Sequence, residues 1–192
     1  MNNENDDLTD DSVQTKKRVK TIIDFISGQV VNANPEEIEA TQVFSKKLVE
    51  DFEYVKKQIQ TRPQFKMKQS PSGIEKYPVD IAVFNDENRN YDNLYLIVEC
   101  KRKNRTDGLK QLKIYLGLSS AQIGVWFNGE QHVYLQKVLD SQGRVTYREL
   151  PNIPKKGQRV EDIGKYKRSD LKPTNNLKAI FKDMRNHLAG NI

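Results

Sequence analysis

The sequence predicts an α/β sandwich, with helices packed on a central mixed sheet, and three observations lead there. Apolar residues recur at helical spacing in two stretches, Phe44, Leu48, Phe52 and Val55, then Leu109, Leu112, Tyr115 and Leu116. Between and after these stretches stand short, nearly continuous apolar runs at residues 79–84, 94–100 and 121–127, of the kind that forms buried strands. With a further strand at 58–68, the order becomes helix, three strands, helix, strand, and such an order buries its apolar faces by layering helices on a sheet.

Residues 1–12 hold five acids, no base and almost no apolar side chain, so they are expected to remain a disordered acidic tail. Val19, Ile22, Ile23 and Ile26 fall at helical spacing and Ser27-Gly28 ends the pattern, which predicts a short helix over 13–27. Asn34 is a good N-cap, Pro35 suits the first helical position, and Glu36 and Glu37 favour the positive first turn; the apolar stripe then carries the helix to residue 55. Residues 58–68 alternate loosely through Ile59, Thr61, Phe65 and Met67 and read as a strand, followed by a turn at Ser70-Pro71-Ser72-Gly73. Strands at 79–84 and 94–100 are joined by a polar loop. A helix over 108–118 and a strand over 121–127 follow, and 132–138 with 144–150 form a hairpin about Asp140-Ser141-Gln142-Gly143. The expected organisation is therefore a tail at 1–12, a domain over 13–150 and a basic C-terminal extension over 151–192, irregular to Pro173 and helical over 175–188.

Composition removes several classes of function. No apolar run approaches the ~20 residues a membrane helix needs, and the first residues have neither the basic nor the apolar region of a secretory signal. One cysteine, Cys100, can form no internal disulfide and no thiolate cluster, so a reducing cytoplasm is expected. The 192 residues carry +6, and setting aside the five acids of 1–12 leaves +11 on the remainder. A basic excess draws polyanions, chiefly nucleic acid, although many ordinary domains are as basic.

The chemistry concentrates at Tyr77-Pro78-Val79-Asp80-Ile81 and Ile97-Val98-Glu99-Cys100-Lys101. Side chains alternate faces along a strand, so Glu99 and Lys101 share one face while Val98 and Cys100 share the other. Asp80 stands on the preceding strand, where hairpin pairing can bring its carboxylate beside Glu99. Two close carboxylates in an apolar setting call for a compensating cation, and Mg²⁺, or Mn²⁺ as its substitute, is the natural one. Such an ion lowers the pKa of a bound water and stabilises charge on a phosphoryl oxygen, while a nearby lysine orients the nucleophile, which together equip a site for phosphodiester hydrolysis. The competing reading is a solvated cross-strand ion pair at a sheet edge. A second acid-x-Lys triplet, Asp170-Leu171-Lys172, lies in an irregular basic stretch before Pro173 and is set aside.

Asp80 followed by Glu99-Cys100-Lys101 on this frame resembles the PD-(D/E)xK nuclease superfamily. Asn34-Pro35-Glu36-Glu37, the two segments just quoted and the following Gln111 are similar, more closely, to the N-terminal nuclease domain of type I restriction enzyme R subunits, over residues 30–130. The resemblance implies a restriction-endonuclease-like sandwich with an αβββαβ core and Mg²⁺-dependent cutting of double-stranded DNA within a restriction–modification system. It implies Asp80 and Glu99 as metal ligands and Lys101 as the residue completing the catalytic site. One departure is Val79, which separates Pro78 from Asp80, but the proline takes no part in the chemistry.

Two satellites follow from the same resemblance. Members of the family often add an acid from the core helix. With Leu48 at 0° on a straight helix, Glu37 falls at about −20°, within the apolar stripe, Glu36 near −120° and Glu39 near 180°. Glu37 is thus the candidate, its alternative being a first-turn acid favoured by the helix dipole. Gln111-Leu112-Lys113-Ile114-Tyr115 matches the Gln-x-x-x-Tyr motif of the RecB-like branch. Residues i and i+4 share a helix face, and the resemblance implies that this pair positions Lys101 or the DNA backbone; a core role for Tyr115 is the alternative. Residues 101–113 set six bases against Asp107, with Arg102, Lys103 and Arg105 the candidates for phosphate contacts, and residues 151–192 set ten bases against four acids. Such clusters bind phosphates without reading sequence, or serve simply as a solvated face. His132 and His187 lack a partner at metal-ligand spacing and read as structural.

The chain has no Gly-x-x-x-x-Gly-Lys-Ser/Thr loop and no Asn-Pro-Pro-aromatic methylase signature. The resemblance therefore implies that ATP enters through downstream modules alone, and that specificity and methyltransferase partners are separate subunits or fused modules. The chain is expected to be the N-terminal piece of a longer protein. Two further readings stand beside this one: a repair or junction nuclease of the same fold, and a catalytically silent DNA-binding or assembly module that takes no divalent metal.

Overall fold

The computed structural model describes residues 19–68 and 75–164. The tail at 1–12, the first part of the expected 13–27 helix, the turn at 70–73 and the helix at 175–188 lie outside the described residues. The N-terminal segment departs from expectation. Strands β1 (Thr21–Ile23) and β2 (Val30–Asn32) form an antiparallel hairpin with Ile22 opposite Val31. All four aliphatic residues that suggested a helix are β-branched and fit a pleated strand better. Gly28 at φ +74° makes the turn, its N–H reaching the Asp24 carbonyl at 2.9 Å.

Asn34 caps the following helix, its Oδ1 accepting from the Glu37 N–H at 2.8 Å. From Pro35 the helix widens into a π-turn over Glu37–Thr41 and continues as α1 (Gln42–Glu50). It stops short of residue 55. Glu53 turns to φ +64°, Tyr54 swings into the core with its hydroxyl donating to the Pro154 carbonyl at 3.0 Å, and Val55 is left half exposed. The expected strand at 58–68 splits as well, into β3 (Ile59–Gln60) and β4 (Lys66–Lys68), because Pro63 between them lacks the N–H a ladder needs. Strand β5 (Glu75–Pro78) pairs with β4 in a separate ribbon. The remaining elements fall within two residues of expectation: β6 (Ile81–Phe84), β7 (Leu94–Cys100), α2 (Leu109–Leu118), β8 (Ile123–Phe127), β9 (His132–Leu139) and β10 (Val145–Leu150).

Six strands form the central sheet in the order β10-β9-β8-β7-β6-β3, parallel at β7–β8 and antiparallel elsewhere. The parallel pair requires a crossover, and α2 supplies it. Ala40, Phe44 and Leu48 pack one face of the sheet, against Ile81, Val83, Leu96, Val98 and Cys100, whereas Leu112, Tyr115 and Leu116 pack the other, against Ala82, Phe84 and Ile97. Each fully buried Phe or Leu contributes about 1.5–3 kcal/mol to this layering. After β10 the chain returns to the α1 face, where Ile153 is buried. A mixed six-stranded sheet flanked by helices is the α/β architecture expected, consistent with a restriction-endonuclease-like fold. No described helix is long and apolar enough to cross a membrane.

Candidate active site

The two site strands meet as their alternation requires. Ile81 pairs with Val98, so continuing the antiparallel register sets Asp80 opposite Glu99. Asp80 Oδ2 accepts the Cys100 backbone N–H at 2.8 Å, and its Oδ1 accepts from Gln64 Nε2 at 3.1 Å. Glu99 is buried, and Lys101 Nζ donates to its Oε1 at 2.5 Å and to the Cys100 carbonyl at 3.0 Å. Cys100 points the other way, wholly buried beneath α1. A solvated edge pair does not describe this arrangement: β7 is a central strand, and the Glu99 side chain is 3% exposed.

Burial and mutual repulsion set the charges. Burial pushes the Asp80 carboxyl up to about 6, against the pull of the Cys100 N–H and Lys101, and Glu36 adds to the rise. Burial, then the charge of Asp80, pushes Glu99 up to about 7, with Lys101 opposing. Burial pulls the Lys101 ammonium down, but its contact with Glu99 and the charges of Glu99, Asp80 and Glu36 outweigh that and hold it above its usual value. Both carboxyls thus keep their protons to higher pH in the folded chain than in the unfolded one. The folded state binds more protons between about pH 4 and 7, and its stability falls as pH rises through that window. Thermal melts of the chelated chain are expected to show a Tm at least about 3 °C lower at pH 8 than at pH 5. A Tm that is flat across the window would contradict the coupling.

Helix α2 closes the site from above. Gln111 Nε2 donates to the Tyr115 hydroxyl at 2.8 Å and approaches Glu99 Oε2 at 3.4 Å, so the i,i+4 pair does converge on one spot, at Glu99 rather than at Lys101. The helix enters through Gly108 at φ +99°. A Cβ there would stand 2.9 Å from Lys101 Cε and 3.3 Å from Glu99 Cγ, so this position needs glycine both for its conformation and for room. Trp126 Nε1 donates to the Asp107 carbonyl at 2.7 Å and Asn128 Nδ2 to the Arg105 carbonyl at 3.0 Å, pinning the basic loop to β8. Within that loop Arg105 is held bidentately by Asp107, and Lys103 Nζ lies 3.4 Å from Glu130. Arg102 is exposed and makes no ion pair among the described residues.

On the far side of Asp80 a buried polar network joins three segments. Glu37 is buried, accepts from Gln42 Nε2 at 2.7 Å and pairs with Arg62. The Gln42 amide also donates to Asp24 Oδ1 at 2.8 Å, and Thr61 donates to Asp24 Oδ2 at 2.6 Å. Burial would raise Asp24, but the bonds from Thr61, Ser27 and Gln42 prevail and hold its carboxyl below the usual range. The helix acid whose charge reaches Asp80, Glu99 and Lys101 is Glu36, half-buried one residue before Glu37. Gln64 and Arg62, which flank Pro63 in a loop read as strand, carry no mark in the sequence, whereas Glu36 stands there as one of the helix acids, placed off the apolar stripe. The angle that turns Glu36 away holds only for a straight helix, and the π-turn over Glu37–Thr41 breaks that condition.

Among the described residues no group of three or more His, Cys, Asp or Glu side chains stands at metal-holding spacing. Mg²⁺ asks for less, since one or two carboxylates with retained waters suffice. Two carboxylates and the Cys100 carbonyl offer hard oxygens, and the ammonium of Lys101 lies against two of them, Glu99 Oε1 and the Cys100 carbonyl. The donor set therefore suits a hard cation. A family model described as type I restriction enzyme R protein N terminus matches residues 35–154, which span every element from the capped helix through β10. No curated protein and no solved structure matches the chain significantly.

Proposed function

As the chain belongs to the family of type I restriction enzyme R protein N termini, we propose that it is the Mg²⁺-dependent endonuclease part of a restriction system, hydrolysing phosphodiester bonds of double-stranded DNA in company with the other subunits of the complex. The observation that carries the reading is the Asp80–Glu99 pair, Glu99 buried and Asp80 partly so, against which a single ammonium stands, that of Lys101 at 2.5 Å from Glu99, leaving one of the two carboxylate charges uncompensated. An uncompensated carboxylate pair costs stability, and a chain that keeps one at the end of its central strands is holding it for a cation.

Asp80 and Glu99 would hold Mg²⁺, which when bound supplies charge stabilisation at the phosphoryl oxygen and a more acidic water. Lys101 would orient the attacking water with its Nζ and offset the negative charge that grows on the phosphoryl oxygens as the new P–O bond forms and the leaving P–O bond breaks, the water giving its proton to solvent and the leaving oxygen taking one from solvent. Gln111, hydrogen-bonded to Tyr115, steadies Glu99, and Gln64 steadies Asp80. Glu36 lends its charge to the same centre. Arg102 and Lys103 would take neighbouring phosphates, while Arg105 must first leave Asp107.

The test is calorimetric titration of the purified chain with Mn²⁺, run beside plasmid cleavage by the chain with its companion subunits. Mn²⁺ binding with release of protons near pH 7, lost in Glu99→Gln, is the expected result. A folded chain that binds no Mn²⁺ would overturn the nuclease reading in favour of the silent assembly module.

A further inference from the structure

A cleft of about 530 Å³ opens beside the site on the outer face of α2. Its walls include Tyr77, Ile114, Tyr115 and Leu118, with Lys110 and Gln111 among its polar groups. The Tyr77 and Tyr115 rings lie 5.9 Å apart at 38°. Ile114 is 51% exposed and Leu118 40%, so these two walls are not spent on the core, whereas Tyr115, 7% exposed, lines the cleft from within it. Gln111 joins cleft to site, since its amide reaches Glu99, and Gly108, which also lines the cleft, leaves no room for a Cβ beside Lys101 and Glu99.

We propose that this cleft receives an unpaired nucleobase next to the scissile phosphate, so that the site favours DNA opened locally at the point of cutting; the inference rests on the nuclease reading above for where the strand lies. A sugar-phosphate backbone is complementary to cations and N–H groups, which the loop of Arg102, Lys103 and Arg105 offers, and not to rings and aliphatic carbons. A base face is complementary to them, but a paired duplex hides its faces by stacking. The walls therefore fit a base that has left the stack. The volume falls within the range of small-ligand clefts. Gln111 Nε2 is committed to Tyr115 and Glu99 and the exposed walls are aliphatic, which favours stacking over edge reading as the mode of contact, so the preference is tolerant of base identity. Lys110 at the cleft and the bases of the neighbouring loop supply the charge complementarity that favours nucleic acid over an apolar peptide.

The experiment compares, with all metal chelated, the binding of two short duplexes of equal charge, one fully paired and one carrying a single unpaired 2-aminopurine. The unpaired duplex is expected to bind about tenfold tighter, with its emission quenched as the base packs against the Tyr77 ring and the aliphatic walls. Ile114→Ser and Leu118→Ser, both at exposed positions and checked by thermal melts, should remove the preference and spare the paired duplex. Equal binding of the two duplexes overturns the proposal. So does a preference that survives both variants, and so do variants that impair assembly with companion subunits while leaving DNA binding unchanged, which would make the cleft a protein-docking surface. The readout needs neither metal nor cleavage, so a chain that shows the preference but never cuts refutes the nuclease reading and not the cleft.

Discussion

Asp80→Asn is expected to lower Mg²⁺-dependent cleavage by at least about 10³-fold while raising the melting temperature at pH 8 by about 3 °C. Asparagine keeps the shape and an oxygen for the Cys100 N–H but removes the charge that burial opposes and that pushes Glu99 up. Activity and stability thus move in opposite directions, the signature of a charge retained for chemistry at the expense of the fold. Lys101→Met should cost as much cleavage with the reverse effect on stability. It strips the ammonium from a Glu99 side chain that is 3% exposed, and breaking such a buried pair costs about 3–5 kcal/mol. That cost should shrink at pH 5, where Glu99 is protonated. Plasmid-cleavage rates and melts at both pH values check the pair, and either variant cutting within tenfold of the unaltered chain would remove these residues from the reaction.

Burial on both faces makes the centre of the molecule legible in the sequence, and contacts distant in sequence hide its margins. Strands β7 and β8 are apolar on both faces because helices cover both, so their identity and bounds stand in the composition of Leu94–Cys100 and Ile123–Phe127 alone. Alternation then fixes the face of Glu99 and Lys101 relative to Cys100, and helical spacing brings Gln111 to Tyr115. The margins are decided by contacts distant in sequence. β1 owes its form to β2 and to Asp24, which is tied to Thr61 and Gln42 across long sequence separations, and a short window of β-branched residues satisfies either a helical or an extended pattern. The end of α1 is set by Tyr54 reaching Pro154, a bond spanning a hundred positions. Gln64 reaches Asp80 only because Pro63 breaks the strand that would otherwise carry it away.

Glu37→Ala is expected to act on the fold and Glu36→Gln on cleavage, the reverse of what straight-helix arithmetic assigns. The π-turn over Glu37–Thr41 absorbs one extra residue, so positions before it rotate back by about 100° relative to α1. Glu36 then takes the angle of about −20° that a straight helix gives Glu37, and Glu37 moves to about 80°. The contacts of Glu37 agree, since it lies against Gln42 and Arg62, and the charge of Glu36 adds to the upward shifts of Asp80, Glu99 and Lys101. Truncating Glu37 leaves the Arg62 guanidinium, 21% exposed, without its carboxylate and one arm of Gln42 unpaired. Because Arg62 retains some solvent, the loss belongs at the lower end for buried pairs, about 3 kcal/mol, or a Tm fall of about 6–12 °C. Glu36→Gln should leave the melt unchanged and slow cleavage roughly tenfold, the equivalent of ~1.4 kcal/mol at the reacting centre. A Glu37→Ala chain that melts normally yet no longer cuts would make Glu37 the acid of the site and show that the π-turn has not exchanged the two.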